Sequence, residues 1–105
     1  MEIKVHTDNH ITSTNEFIEK YVTALQKNLT HYSEYITFGN IFFADENKGK
    51  SGIADKRCTI EIHVKNMNPE AVTHYADTIS HAFNGATDKL WNLLDHKIGK
   101  KQNKY

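Results

Sequence analysis

The segment RCTIEIHVK, Arg57 to Lys65, alternates without a break. Cys58, Ile60, Ile62 and Val64 fall on one side; Arg57, Thr59, Glu61, His63 and Lys65 fall on the other. A period of two, rich in β-branched residues, is a strand with one apolar face. Such a strand needs neighbours to pair its backbone and one apolar layer to cover it. The flanking sequence offers both.

Met1 to His6 alternates in the same way, with Ile3 and Val5 opposed to Glu2, Lys4 and His6. Tyr35 to Asp45 is aromatic and β-branched and reads as a second strand. Its register stays open, because Ile36, Phe38 and Phe42 share one parity while Ile41 and Phe43 share the other. The polar, aperiodic stretch Asp45 to Lys56 predicts a mobile loop joining that strand to the next. Asn66 to Pro69 is a turn, followed by a short strand, Glu70 to Tyr75, centred on Val72.

The covering layer comes from two helical patterns. Ser13 and Glu16 form a capping box, S-x-x-E, ahead of Ile18, Tyr21, Val22, Leu25 and Leu29 at three- and four-residue steps. Asp77 or Thr78 caps a second helix with the stripe Ile79, Phe83, Ala86, Leu90, Leu93 and Leu94, closed by Gly99. The order β-α-β-β-β-α predicts an α+β two-layer sandwich, a four-stranded sheet with two helices on one face and the other face open. Residues 1–99 are expected to form one domain, and 100–105 a polar tail.

Composition narrows the function. No apolar run approaches the roughly 20 residues of a membrane span, and the N-terminus lacks a secretory layout, so a cytoplasmic protein is expected. The single cysteine, Cys58, excludes an internal disulfide and, alternating with core residues, reads as a buried thiol rather than a nucleophile. His6 with His10, and His74 with His81, lack metal-cage spacing, and the loop glycines form no phosphate-binding motif. No enzyme, metal, cofactor or small-molecule substrate is expected. Trp91 reads as a residue at the core edge.

Zero formal net charge conceals a gradient. Residues 1–47 carry seven acids against three lysines; residues 48–105 carry six acids against ten Lys and Arg. Lys20, Lys27 and His31 fall within about 40° of one another on the first helical wheel, and Lys89, His96 and Lys100 do the same on the second. Two helices side by side would turn these rows into the edge of a basic groove able to hold phosphates. An ordinary solvated helix face, with cations favouring a helix C-terminus, reads from the same spacing. The open sheet face is a rival surface, with Lys4, His6, Arg57, His63, Lys65 and His74 expected on it, interrupted by Glu2 and Glu61. If Phe38 and Phe42 also point outward, that face offers either stacking for bases or a hydrophobic contact for a protein partner or second copy.

Several pieces, in this order, resemble the ribosome hibernation-promoting factors, also known as ribosome-associated inhibitor, ribosomal subunit interface and sigma-54 modulation proteins, in their short divergent bacterial branch. They are VHTDNHI (Val5–Ile11), DENKGKSG (Asp45–Gly52), DKRC (Asp55–Cys58), AVTHYADT (Ala71–Thr78), GATDKL (Gly85–Leu90) and LLDHKIGK (Leu93–Lys100). The resemblance implies translational silencing in starvation or cold, through binding to the small ribosomal subunit and its 16S rRNA in the mRNA and tRNA channel. It implies Lys20, Lys27, Lys89, Lys97 and Lys100 as phosphate contacts, with His31, Asn92 and His96 as weaker ones. Asn92 and Asp95 depart from the more basic second helix usual in that family, and Phe38 and Phe42 stand where polar residues are common. No C-terminal extension of the kind that pairs two ribosomes is apparent, so binding to a single ribosome, or help from another factor, is expected.

Overall fold

The computed structural model describes residues 1–46 and 54–99. Four strands, β1 (Glu2–Thr7), β2 (Ile36–Asp45), β3 (Lys56–Val64) and β4 (Glu70–Ala76), lie side by side in chain order. β1 runs parallel to β2, and the other two pairs are antiparallel. The parallel pair needs a crossover, which helix α1 (Asn15–Asn28) supplies. A 3-10 turn, Thr30–Tyr32, returns the chain to β2. Helix α2 (Ile79–Leu94) packs over β3 and β4, α1 over β1, and a π-helical turn, Asp95–Gly99, ends the described chain. This is the expected α+β sandwich with one sheet face left open. The loop expected between β2 and β3 falls largely outside the described residues, as does the polar tail 100–105.

A β-bulge settles the register of β2. Ile36 pairs with Val64 but Phe38 with His63, so the bulge between Ile36 and Phe38 carries one extra residue, Thr37. Ile36 can then point into the core while Phe38 and Phe42, of the same parity, point out. Thr37 Oγ1 anchors the bulge by donating to the His63 carbonyl at 3.1 Å. Asn66, in the tight turn after β3, takes a left-handed φ of 62°, which asparagine tolerates better than most residues.

The core lies between sheet and helices. Ile41, Cys58, Ile60 and Ile62 meet Leu25, Ala82, Ala86, Leu90 and Leu94, all 0% exposed. Tyr21 links the two helices: its ring lies edge-on to Phe43 and Phe83, both at 4.9 Å, and its hydroxyl is 3.2 Å from Ser80 Oγ.

One boundary and one orientation differ from the sequence expectation. The cap of α1 is Thr14, whose hydroxyl accepts from Phe17 N at 3.1 Å. Ser13 lies one residue too early to reach that third amide of the helix, although Glu16 keeps its favourable place in the first turn. Of the two caps expected for α2, Asp77 or Thr78, it is Thr78 that accepts from His81 N, at 3.0 Å. His74 is not on the open face. It pairs with Cys58, and its ring lies where a Cβ at Gly85 would come within 2.0 Å. Directly paired strand residues share a face, so His74 sits beneath α2, admitted by the missing side chain of Gly85.

Candidate nucleic-acid interface

The cations of α1 border the gap between the helices. Lys20 holds its ammonium 5.2 Å from the Tyr21 ring centre, a cation–π contact that leaves the charge at the surface. Lys27 lies two helical turns further on the same flank and is exposed. His31, in the 3-10 turn, sits 5.0 Å from Tyr32 and 6.2 Å from Trp91 of α2, ring to ring. Trp91 is 39% exposed, so it is a core-edge residue with a free face. The Tyr32 hydroxyl donates to Asp95 Oδ1 at 3.2 Å, which bridges the helices. Burial first, and the Asp95 carboxylate second, push the Tyr32 hydroxyl above its ordinary pKa.

The cations of α2 face elsewhere. Lys89 Nζ donates to the Thr73 carbonyl at 2.8 Å, and Lys97 forms an ion pair with Glu70. Thr73 and Glu70 belong to β4, the sheet edge farthest from β1 and α1. Asn92 and His96 are exposed; Lys100 lies outside the described residues. Lys89 and Lys97 therefore flank the outer edge of the layer, while Lys20, Lys27 and His31 flank its centre, with Asp95 near the join. Among the described residues, the cations with located partners thus fall into two strips, one beside the contacts that link the helices and one along the β4 edge.

The open sheet face is organised by side-chain stacking. Phe38 stacks on His63 with ring centres 3.9 Å apart and planes 18° apart; Phe42 stacks on His6 at 4.7 Å and 17°. Between these pairs runs a chain of hydrogen bonds. His6 Nε2 donates to Asn40 Oδ1 at 3.0 Å, and Asn40 Nδ2 donates to Glu61 Oε1 at 3.0 Å. His63 Nε2 lies 3.3 Å from the same Glu61 oxygen. The amide of Asn40, and then His63, hold the Glu61 carboxyl below its ordinary pKa, so it is ionised at neutral pH. Tyr75, 46% exposed, adds a further ring on β4, opposite Arg57, which pairs with Glu46 at 2.8 Å. Sequence patterning alone does not mark Asn40. Its signal is the outward triplet Phe38-x-Asn40-x-Phe42, visible only once the bulge fixes parity.

Cys58 is fully buried, and burial pushes its thiol up to about 12, far from the thiolate a nucleophile needs. Among the described residues no three His, Cys, Asp or Glu side chains converge to hold a metal ion. No described helix is long and apolar enough to cross a membrane.

No protein-family model and no curated protein matches the sequence. Solved structures do match. A ribosomal subunit interface protein from Coxiella burnetii superposes with a TM-score of 0.72 at 12% identity, covering 94% of this chain and 99% of its own. The N-terminal domain of Thermus thermophilus Protein Y gives a TM-score of 0.70 at 14% identity, covering 91% and 98%. The chain has the fold of a ribosomal subunit interface protein. At such identities the likeness concerns backbone architecture alone, and the side chains described above are this protein's own.

Proposed function

We propose that the protein is a non-catalytic, ribosome-associated silencing factor. Its body would occupy the mRNA and tRNA channel of the small subunit under stress, with helix-borne cations against 16S rRNA phosphates. The observation that carries this reading is the near end-to-end structural match to a solved ribosomal subunit interface protein. The exposed side chains of Lys27, Asn92 and His96 support it, as does the ammonium of Lys20 held at the surface. A ribosomal partner would place the protein in the cytoplasm. With no net charge, attraction has to be local, through the two strips.

Co-sedimentation with purified small subunits over a range of salt tests the proposal. About five phosphate contacts predict a log–log slope near −4. A Lys20/Lys27/Lys89 to Glu triple variant should pellet less and show a shallower slope. Equal pelleting of both proteins, or binding indifferent to salt, overturns it. The competing reading is a protein contact through the open sheet face, favoured by the exposure of Phe38 and Phe42 at 39% each. Under it, changing both to Ser removes complex formation without touching ribosome sedimentation.

A further inference from the structure

We infer that the open sheet face is a second, separate nucleic-acid site, one that stacks and hydrogen-bonds two or three unpaired bases of a single strand. It does not depend on the helix-borne strips, which lie on the other side of the sheet.

The arrangement of chemistry selects the occupant. A protein interface is apolar at its centre and polar at its rim. This face is the reverse: the Asn40–Glu61 pair is central, and the aromatic pairs flank it. Its area is also small. Four strands at about 4.8 Å and seven residues at about 3.3 Å give roughly 450 Å², about half of what a stable protein contact buries on each partner. A nucleobase matches better, since it offers a flat π-face and a hydrogen-bonding edge together.

Geometry adds three points. Phe38 and Phe42, four residues apart on β2, stand about 13 Å apart, a span of two or three nucleotides in an extended strand. Their partner imidazoles hold the rings in place, so little side-chain freedom is lost on binding. One side of Phe38 carries His63, and beside the ring opens a pocket of about 220 Å³ lined by Glu2, Lys4, Gly39 and Asn40.

Hydrogen-bonding capacity remains at the centre. Among the described residues both contacts to Glu61 end on Oε1, which leaves Oε2 and the second amide hydrogen of Asn40 for a ligand. An ionised carboxylate accepts from the amino groups of cytosine, adenine or guanine, and uracil has none to offer. Lys4, in register with Asn40 on β1, and Lys65, just beyond β3, flank this centre as phosphate contacts.

Labelled hexamers of C, A and U, titrated by fluorescence anisotropy at low salt, test the site. Expected are binding of C and A hexamers ahead of U, and a loss of about 30-fold or more in Phe38→Ser/Phe42→Ser. Phe38→Tyr/Phe42→Tyr should bind like wild type, and Glu61→Gln should narrow the gap between C and U. The sole tryptophan, Trp91, lies on the helix side, so its emission should stay constant as the hexamers bind. Lys20→Glu/Lys27→Glu should change hexamer affinity by less than about threefold, the residual effect of two distant charges. Unaltered hexamer binding by a folded Ser double variant overturns the inference. So does quenching of Trp91, or a wild-type dimer that the same double variant dissolves while no hexamer binds. Failure of ribosome co-sedimentation alone leaves these measurements intact.

Discussion

On the helix side of the sheet, Ile41, Cys58, Ile60 and Ile62 have no solvent exposure; on the other side, Phe38, Phe42 and Tyr75 are 39%, 39% and 46% exposed. The same strands build both surfaces, residue by residue. Strand β2 is the extreme case, sending Ile36, Ile41 and Phe43 inward and Phe38, Asn40 and Phe42 outward. The inner face is held by shape and hydrophobic burial, the outer by rings stacked in pairs and a short hydrogen-bond chain. Loss of the inner face should therefore cost the fold, and loss of the outer face at most a small increment of stability.

Shifting the chain of β2 by one residue breaks the comparison most severely. Deleting Asn40 flips the parity of everything before it in β2, driving Phe38 inward and Gly39 outward. No cooperative thermal transition is expected. Deleting Thr37 should have the opposite outcome, because it removes the extra residue of the bulge and leaves Ile36 inward and Phe38 outward by plain alternation. A cooperative melt by circular dichroism for the Thr37 deletion, and none for the Asn40 deletion, is the expected pair of results. Equal melts would mean that parity does not decide which face is which.

The sequence carried the elements because their periodicities are strong: β3 alternates over nine residues, and both helices hold one apolar stripe. It left β2 open because one extra residue reverses parity without altering composition. His74 was misplaced for a related reason. It shares the inner face with Val72 by plain alternation, and only Gly85, on the helix that follows, makes room for its ring beneath α2. The helix cations were legible as rows on a wheel. Their separation into two strips was not, because it depends on Lys89 and Lys97 reaching partners on β4. Tertiary contacts of this kind leave no local signature.

The His74–Gly85 contact gives the next effect in size. Alanine in place of a mid-helix glycine ordinarily stabilises by up to about 1 kcal/mol. At Gly85 the new Cβ would stand 2.0 Å from the His74 ring, so Gly85→Ala should instead lose about 1–3 kcal/mol through overpacking. His74→Ala/Gly85→Ala should recover most of that loss, giving a coupling of at least about 1 kcal/mol in a urea-denaturation cycle. Additive single and double variants would place the imidazole away from α2 and weaken the assignment of His74 to the inner face.

The smallest effect belongs to the outer face and appears only in acid. The Asn40 amide first, and His63 second, depress the Glu61 carboxyl below its ordinary value of 4.5. A carboxyl depressed on folding stabilises the fold above its unfolded pKa, and that contribution fades as pH falls through the folded value. Glu61 should therefore add a constant increment above about pH 5 that declines toward pH 3. With its side chain 35% exposed, solvent screening keeps the increment below about 1 kcal/mol. Asp8 and Asp77 drift the same way. At Asp8 burial raises the carboxyl, but the His10 and Asp45 amides outweigh it; at Asp77 the hydrogen bond from His81 lowers it. Both are common to wild type and Glu61→Gln, so the difference between the two proteins isolates Glu61. Urea midpoints between pH 3 and 5, a range where an ordinary imidazole stays protonated throughout, should converge as acid is added. A gap that stays constant across this range would show that Glu61 gains nothing from Asn40 and His63, and the ordered centre of the outer face would lose its electrostatic support.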